Sequence, residues 1–160
     1  MIRQVTENIF LTELRLTDAA IIVAHMRDKE ISDNTLVIPF PYSIEDANTF
    51  LQDGLILQEE TGVQKNFAIR TGDGELMGII GIHFNYGLDA DKSEFGYWLA
   101  KTYWNQGVMT KVTNAFEQIV KEKYKIKTLE ACVFYLNHSS MRVLEKCGFT
   151  KTGDTITHTK

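Results

Sequence analysis

The sequence predicts a mixed α/β fold in which helices flank a mostly antiparallel sheet. Two apolar stretches, Asn66–Arg70 and Leu76–Phe84, lie on either side of the turn Gly-Asp-Gly-Glu at 72–75, which is typical of an antiparallel hairpin. After Gly107, apolar residues recur at helical spacing between two strand-like stretches, and this arrangement favours a parallel crossover. Since the chain has 160 residues, we expect one domain over residues 1–160.

Capping residues and alternation predict the elements that precede the hairpin. Ile9–Arg15 alternates in part and predicts a first strand. Thr17 predicts the cap of a helix over 18–28, whose apolar residues form its buried side. Ser43 begins a second helix, because Asp46 follows it at the spacing of a capping box.

Strands and helices alternate in the second half of the chain. The stretches Glu94–Ala100 and Thr128–Tyr135 are rich in aromatic and β-branched residues, and both predict buried strands. Asn137–Cys147 predicts a short helix that Gly148 ends, and Phe149–Thr157 predicts a last strand.

The composition indicates a soluble globular protein, since 44% of the residues are hydrophobic and 24% are charged. A net charge of −4 provides no basic face for nucleic acid or an anionic membrane, so neither partner is expected. The sequence shows neither a run of ~20 apolar residues nor a signal-peptide core, which predicts a cytoplasmic setting. Cys132 and Cys147 form no CxxC pair, so we expect both to be buried thiols and predict no metal site.

The turn at Asn105-Gln106-Gly107 carries the first functional prediction. A glycine turn between a strand and a helix presents free backbone N–H groups and the positive end of the helix dipole, and phosphate binds well to both. The same residues would also form an ordinary strand–helix connection in which glycine allows close packing. The GxxxxGK[ST] and GxGxxG fingerprints of nucleotide sites are absent from the sequence.

Two motifs in fixed order, YWLAKTYWNQGVMTKV at 97–112 and NHSSMRVLEKCGF at 137–149, resemble the GNAT superfamily of acetyl-coenzyme A-dependent N-acetyltransferases. Within it the chain is similar to the RimL-like branch of ribosomal-protein alanine N-acetyltransferases. The resemblance covers Ile9 to Gly153 and implies the acyl-CoA N-acyltransferase fold. It also implies transfer of acetyl from acetyl-CoA to a primary amine, either a protein N-terminus or a small amine, by direct attack in a ternary complex.

The resemblance also implies which residues hold the cofactor. The backbone of the glycine turn would bind the pyrophosphate of coenzyme A, and the fourth strand of the family would pair with pantetheine through backbone near Trp98–Ala100. A side-chain amide would contact pantetheine, a serine would lie near the thioester sulfur, and an arginine would lie near the nucleotide. The implied cofactor-binding residues are Trp98, Leu99, Ala100, Asn105, Gln106, Gly107, Val108, Met109, Thr110, Asn137, Ser140 and Arg142.

The turn departs from the superfamily pattern [Q/R]-x-x-G-x-[G/A] at its first and last places. Trp104 stands at the first place and Met109 at the last. The resemblance to the RimL-like branch accommodates both residues, because Trp-x-x-Gly-x-Met-Thr is familiar there.

Acetyl transfer to an amine needs a base for the amine and a proton for the leaving thiolate. We predict Ser140 as the acid, with a helix-capping hydroxyl as its alternative role. We predict Glu94 as a base acting through water, although an exposed carboxylate at a strand end is common. His83 is a further candidate base, and Tyr135 and His138 lie near the same motif.

The family usually continues into a seventh strand, so the last strand is either missing or supplied by a second subunit in a homodimer. The acceptor pocket is expected from the early helices and the loop Pro39–Tyr42, where an acidic rim would suit a cationic peptide end, a polyamine or an antibiotic equally. The alternatives to catalysis are a coenzyme A-binding domain without turnover and a phosphate-binding regulatory module.

Overall fold

A six-stranded sheet forms the centre of the computed structural model, which describes residues 2–35, 38–134 and 136–152. The strands are β1 (Arg3–Thr6), β2 (Ile9–Thr12), β3 (Asn66–Thr71), β4 (Leu76–Ile82), β5 (Lys92–Leu99) and β6 (Thr128–Glu130). The helices are α1 (Ala19–Met26), α2 (Lys29–Asp33), α3 (Ile44–Thr61), α4 (Val108–Lys123) and α5 (His138–Lys146), with 3-10 turns at Leu16–Asp18 and Lys101–Tyr103.

The sheet confirms the predicted mixed topology. Strands β1 to β5 pair antiparallel in sequence order, whereas β6 pairs parallel with β5 after the crossover through α4. The parallel pairing is short, since it runs only from Lys92↔Thr128 to Glu94↔Glu130. The sheet therefore opens beyond Glu94, between the rest of β5 and the segment that follows β6.

Helices cover both faces of the sheet and build two cores. Alternation along β5 places Phe95, Tyr97 and Leu99 on one face, where α4 contributes fully buried side chains such as Val112, Phe116 and Ile119. Trp98 lies on the other face, where α1 to α3 contribute Ile22, Met26, Ile31, Ala47 and Leu51. The opening beside β5 thus connects a face covered by α4 and α5 with a face covered by α1 to α3.

The strand predicted over Ile9–Arg15 is present but ends at Thr12, and it pairs antiparallel with an additional strand at Arg3–Thr6 that was not predicted. The helix predicted over 18–28 is observed as α1 at Ala19–Met26, preceded by the 3-10 turn, and α2 is an additional helix beyond the predicted range. Thr17 is not the cap of α1; Asp18 instead accepts from the backbone N–H of Arg15 at 2.7 Å. By contrast, the capping box of Ser43 and Asp46 is confirmed in both directions.

The two strands predicted near the C-terminus are shorter than expected. The strand predicted over Thr128–Tyr135 ends at Glu130, because its pairing with β5 stops there, and Tyr135 lies outside the described residues. Residues 149–152 of the strand predicted over Phe149–Thr157 are not in a strand, and the remainder lies outside the described residues. The helix at α5 is confirmed, and Gly148 follows it with φ of +86°.

A buried ion pair connects the loop before α1 to β3. Arg70 Nη2 lies 2.7 Å from Asp18 Oδ2, and the two side chains are only 5% and 8% exposed. We expect Asp18→Asn to lower the free energy of unfolding by about 3–5 kcal/mol, because it leaves a buried guanidinium without its counter-ion. Denaturant titration measures this, with Asp33→Asn in the exposed Lys29–Asp33 pair as a control that should cost about 0.3–0.5 kcal/mol. Equal losses in the two variants would contradict the structural role of the buried pair.

Candidate active site

A cavity of about 670 Å³ occupies the opening between β5 and the segment after β6. One wall comes from β5, and the opposite wall from Ala131–Val133 and the first turns of α5. The start of α4 lies at one end, and residues of α1, α2 and α3 line the other. A molecule in this cavity would therefore extend from one face of the sheet to the other.

The start of α4 presents the backbone groups that the glycine turn predicts. Gly107 has φ of +72°, and a Cβ placed on it would have nothing within 4 Å. The helix begins without a side-chain cap, and Gly107, Val108, Met109 and Thr110 line the cavity. The N–H groups of a first helical turn have no partner within the helix. This end of the cavity is therefore suited to a phosphate, with Arg142 and Lys146 also in its wall.

Trp104, which departs from the superfamily pattern, fixes the turn from inside. Its indole Nε1 donates to the carbonyl of Leu99 at 2.7 Å, and its ring packs against both hydrophobic cores. The turn is thus held to the end of β5, and the cavity keeps its shape between them.

Ten of the twelve predicted cofactor-binding residues line the cavity; Ala100 and Gln106 do not. The buried Ala100 donates its N–H to Met77 at 2.8 Å, on the side of β5 that faces β4. The exposed Gln106 turns its amide onto the carbonyl of Thr102 at 2.9 Å. The cofactor contacts of these two residues stay predictions: the N–H of Ala100 is taken up by strand pairing, whereas the backbone N–H of Gln106, to which the phosphate contact is assigned, is not the group that bonds Thr102.

Ser140 meets a tyrosine that the sequence reasoning missed. The hydroxyls of Ser140 and Tyr97 lie 2.6 Å apart, and burial raises the pKa of Tyr97. Asn137 is the cap of α5, since its Oδ1 accepts from the Ser140 N–H at 3.2 Å. The alternative role of Ser140 as a capping side chain is therefore wrong, and its hydroxyl is directed at the phenol on β5.

Glu94 lies at the other end of the cavity with His83 and Cys132. Glu94 Oε2 is 3.9 Å from His83 Nδ1, and Glu94 Oε1 accepts from Cys132 Sγ at 3.1 Å. Burial lowers the pKa of His83, and the Glu94 carboxylate opposes part of that shift. Burial, together with the Glu94 charge, raises the pKa of the Cys132 thiol to about 11. At neutral pH this end therefore holds a neutral imidazole and a protonated thiol around one carboxylate.

Two cysteine predictions need correction. Cys132 and Cys147 are both half-buried rather than fully buried, and both are free thiols.

Among the described residues, no group of three or more His, Cys, Asp or Glu side chains is placed to hold a metal ion. None of the described helices combines the length and apolar character needed to cross a membrane.

A mixed sheet that opens beside a parallel strand, with an uncapped helix N-terminus at the opening, defines the acyl-CoA N-acyltransferase class of folds. The family described as Acetyltransferase (GNAT) domain matches residues 8–150, and the chain belongs to that family.

Several known proteins are similar to this chain. The putative ribosomal N-acetyltransferase YdaF of Bacillus subtilis (strain 168) is 31% identical over 81 residues, which are 51% of this chain and 44% of that protein. The chain thus aligns with less than half the length of this relative. Two solved structures share the fold. RimL, the ribosomal L7/L12 alpha-N-protein acetyltransferase in complex with coenzyme A, has a TM-score of 0.80 at 18% identity over 96% of this chain and 86% of its own. The microcin C7 self-immunity acetyltransferase MccE in complex with acetyl-CoA and AMP has a TM-score of 0.76 at 21% identity, over 93% of this chain and 82% of its own.

Tyr97 and Cys132 are the site residues that the sequence reasoning did not assign. Alternation along β5 offered a signal for Tyr97, because it shares the face of Phe95 and Leu99 that α4 and α5 cover. Cys132 offered none, since its place opposite Glu94 depends on where β6 separates from β5.

Proposed function

We propose that this protein is an N-acetyltransferase, which transfers acetyl from acetyl-CoA to a primary amine in a ternary complex. The observation that carries the proposal is that the start of α4, the Tyr97–Ser140 pair and Glu94 all line one cavity. The membership of the GNAT family and the ribosomal names of YdaF and RimL support a protein N-terminus as one acceptor and a cytoplasmic setting.

The end of the cavity at α4 fits coenzyme A. The first N–H groups of α4 would bind its pyrophosphate, and the open space beside Gly107 would allow close approach of the phosphate to the backbone. Arg142 and Lys146 would add positive charge. The backbone N–H and C=O groups of alternate residues in β5 point to opposite sides of the strand. Those of Glu94, Trp98 and Ala100 point toward β4, so those of Tyr97 point away from it, into the opening. That backbone would pair with the pantetheine arm and donate to the oxyanion.

Glu94 and His83 would remove the proton that the amine must lose. An α-ammonium has a pKa near ~7.7–8.0, so a modest base suffices at neutral pH. Glu94 would accept the proton through water, and the neutral His83 beside it would orient that water or take up the proton itself. His83 remains the second candidate for this role.

Ser140 would supply the proton that the departing thiolate needs. In the proposed step the ammonium first loses one proton, which passes through Glu94 to solvent. The free amine nitrogen then forms a bond to the acetyl carbon, the carbon–sulfur bond breaks, and a second proton passes from the nitrogen to Glu94. Ser140 gives its proton to the sulfur and receives one from Tyr97, whose raised pKa keeps the phenol protonated at neutral pH. Acetyl-CoA and amine thus become coenzyme A and amide, and solvent restores the proton balance of the two side chains.

Initial-rate kinetics distinguish direct transfer from a route in which acetyl is first transferred to Cys132 to form an acyl-enzyme. The raised pKa of Cys132 keeps it a thiol, which is a poor nucleophile, and its hydrogen is directed at Glu94. Initial rates measured while both substrates vary should give intersecting lines and acetylated amine as the product. Parallel lines, together with loss of turnover in Cys132→Ala, would overturn direct transfer.

We expect Tyr97→Phe to lower kcat by about 2- to 10-fold, because the variant loses one hydrogen bond to Ser140, worth ~0.5–1.5 kcal/mol. KM for acetyl-CoA and the melting temperature should change little, which steady-state kinetics and thermal unfolding measure. Tyr86→Phe removes an equivalent phenol that bonds Glu130 outside the cavity, and it should leave kcat unchanged. An unaltered kcat in Tyr97→Phe would remove Tyr97 from the proton path.

A further inference from the structure

The end of the cavity beyond Glu94 has a floor made partly of glycine. Asn66, Gly81 and Gly96 form one cross-strand row of β3, β4 and β5. A Cβ on Gly81 would lie 2.0 Å from Asn66 Oδ1, and one on Gly96 would lie 3.1 Å from His83 Nε2. The two glycines therefore leave the room that Asn66 and His83 occupy, and both side chains lie in the cavity wall beside Glu94.

Above this floor, the described part of the wall is uncharged and mainly apolar. It is formed by Met26 of α1, Ile31 of α2, Phe50 of α3, and Ile38 and Tyr42 of the loop before α3, with Asn34 and Thr35 as polar members. Burial, more than the charge of Asp46, raises the pKa of Tyr42, so its phenol stays neutral at neutral pH.

The charges in the wall are unevenly distributed. Among the described residues that line the cavity, Glu94 is the one carboxylate. The cations Arg142 and Lys146 both belong to α5, at the cofactor end. An ammonium next to Glu94 therefore finds a counter-ion, whereas a second ammonium further along the apolar wall would lose water without one.

We propose that the acceptor is a monoamine whose amino group is attached to an uncharged, mainly apolar body. This rests on the proposed function and specifies its substrate class. Polyamines and aminoglycoside-like antibiotics, which an acidic rim would suit, do not fit a wall with a single carboxylate. For a protein N-terminus the same rule requires a first residue with an uncharged side chain.

A matched pair of small amines tests the proposal. At saturating acetyl-CoA, kcat/KM is compared for 1-aminopentane and 1,5-diaminopentane, which differ only in the second amino group. We expect a preference of at least tenfold for the monoamine, roughly the discrimination available to an apolar pocket. A diamine used equally well or better would overturn the proposal.

Measuring the binding of the amines tests the acceptor class independently of whether the protein is catalytically active. Calorimetry of each amine with the protein saturated in coenzyme A should show tighter binding of 1-aminopentane, whether or not acetyl is transferred. If both amines bind in that order but no acceptor is ever acetylated, the proposed function fails and the acceptor class stands. If neither amine binds, or if the diamine binds tighter, the acceptor class fails.

A single added carboxylate tests the cause of the preference. Asn34 lines the cavity at the end of α2, and Asn34→Asp adds charge without adding bulk. The variant should reduce the preference for the monoamine by roughly three- to tenfold, as one carboxylate near an ammonium allows. Asn48→Asp makes the same change on the exposed surface of α3, away from the cavity, and should leave the ratio as it is. An unchanged ratio in Asn34→Asp would contradict the charge argument.

Discussion

Replacing Ser140 with alanine is expected to lower kcat by about 10²–10⁴-fold, the usual contribution of a positioned general acid. The hydroxyl lies 2.6 Å from that of Tyr97, and both residues line the cavity. Affinity for coenzyme A should barely change, because the interaction strengthens only as negative charge develops on sulfur. Steady-state kinetics, calorimetry with coenzyme A and thermal unfolding of the one variant measure all three quantities.

The cap of α5 provides the control for this experiment. Asn137 Oδ1 accepts the Ser140 N–H, and Ser140→Ala retains that bond. Asn137→Ala should lower stability by about 0.5–2 kcal/mol, whereas Ser140→Ala should leave it nearly intact. Ser139→Ala removes a hydroxyl from the same turn that does not bond Tyr97, and kcat should hold. Normal turnover in Ser140→Ala would exclude Ser140 as the acid and leave Glu94 or water to supply the proton.

Gly107→Glu is expected to abolish detectable binding of coenzyme A. The added side chain would enter the open space beside Gly107 and place a negative charge at the start of α4, where the phosphates would bind. Calorimetry on the folded variant measures the loss.

Gly62 offers a closely matched control, because φ is +73° there and +72° at Gly107, and neither position has a neighbouring atom within 4 Å of a Cβ. Both substitutions carry the same backbone cost, about 1–2 kcal/mol for a left-handed residue with a side chain. Gly62 lies at the end of α3. The Gly62→Glu variant should therefore lose as much stability as the Gly107→Glu variant but bind coenzyme A normally. Equal affinity in the two variants would contradict the phosphate site.

Local signals in the sequence were enough to predict the helices α3 and α4, the second of which forms the end of the cavity that fits coenzyme A. The Ser43–Asp46 capping box and the apolar stripe after Gly107 depend on neighbours within four residues, and the structure has both. The helix α2 was missed because five residues are too few to show a period, although its cap, Asp28, was visible in the sequence. The strand β1 was missed because it is defined by its pairing with β2, from Arg3↔Leu11 to Thr6↔Ile9, which alternation alone does not specify.

The opening of the sheet could not be predicted from local patterns. Residues 131–134 are apolar and directly follow β6, and the sequence predicts one strand through both, yet pairing with β5 ends at Glu130. That separation depends on tertiary packing, and it makes room for the cavity. The meeting of Tyr97 with Ser140 and of Glu94 with Cys132 follows from it, since each pair joins β5 to residues beyond β6. The resemblance supplied Ser140 and the chemistry of amine acetylation supplied Glu94, but their partners required the structure.

The most direct test of the account is the release of coenzyme A thiol from acetyl-CoA, followed with and without 1-aminopentane, with mass spectrometry of the amine. The account predicts that thiol release depends on the amine, that it equals the amount of acetylated amine formed, and that Ser140→Ala lowers its rate while coenzyme A still binds. Binding of acetyl-CoA without amine-dependent release for any primary amine, protein N-termini included, would contradict it and would identify a coenzyme A-binding domain without turnover.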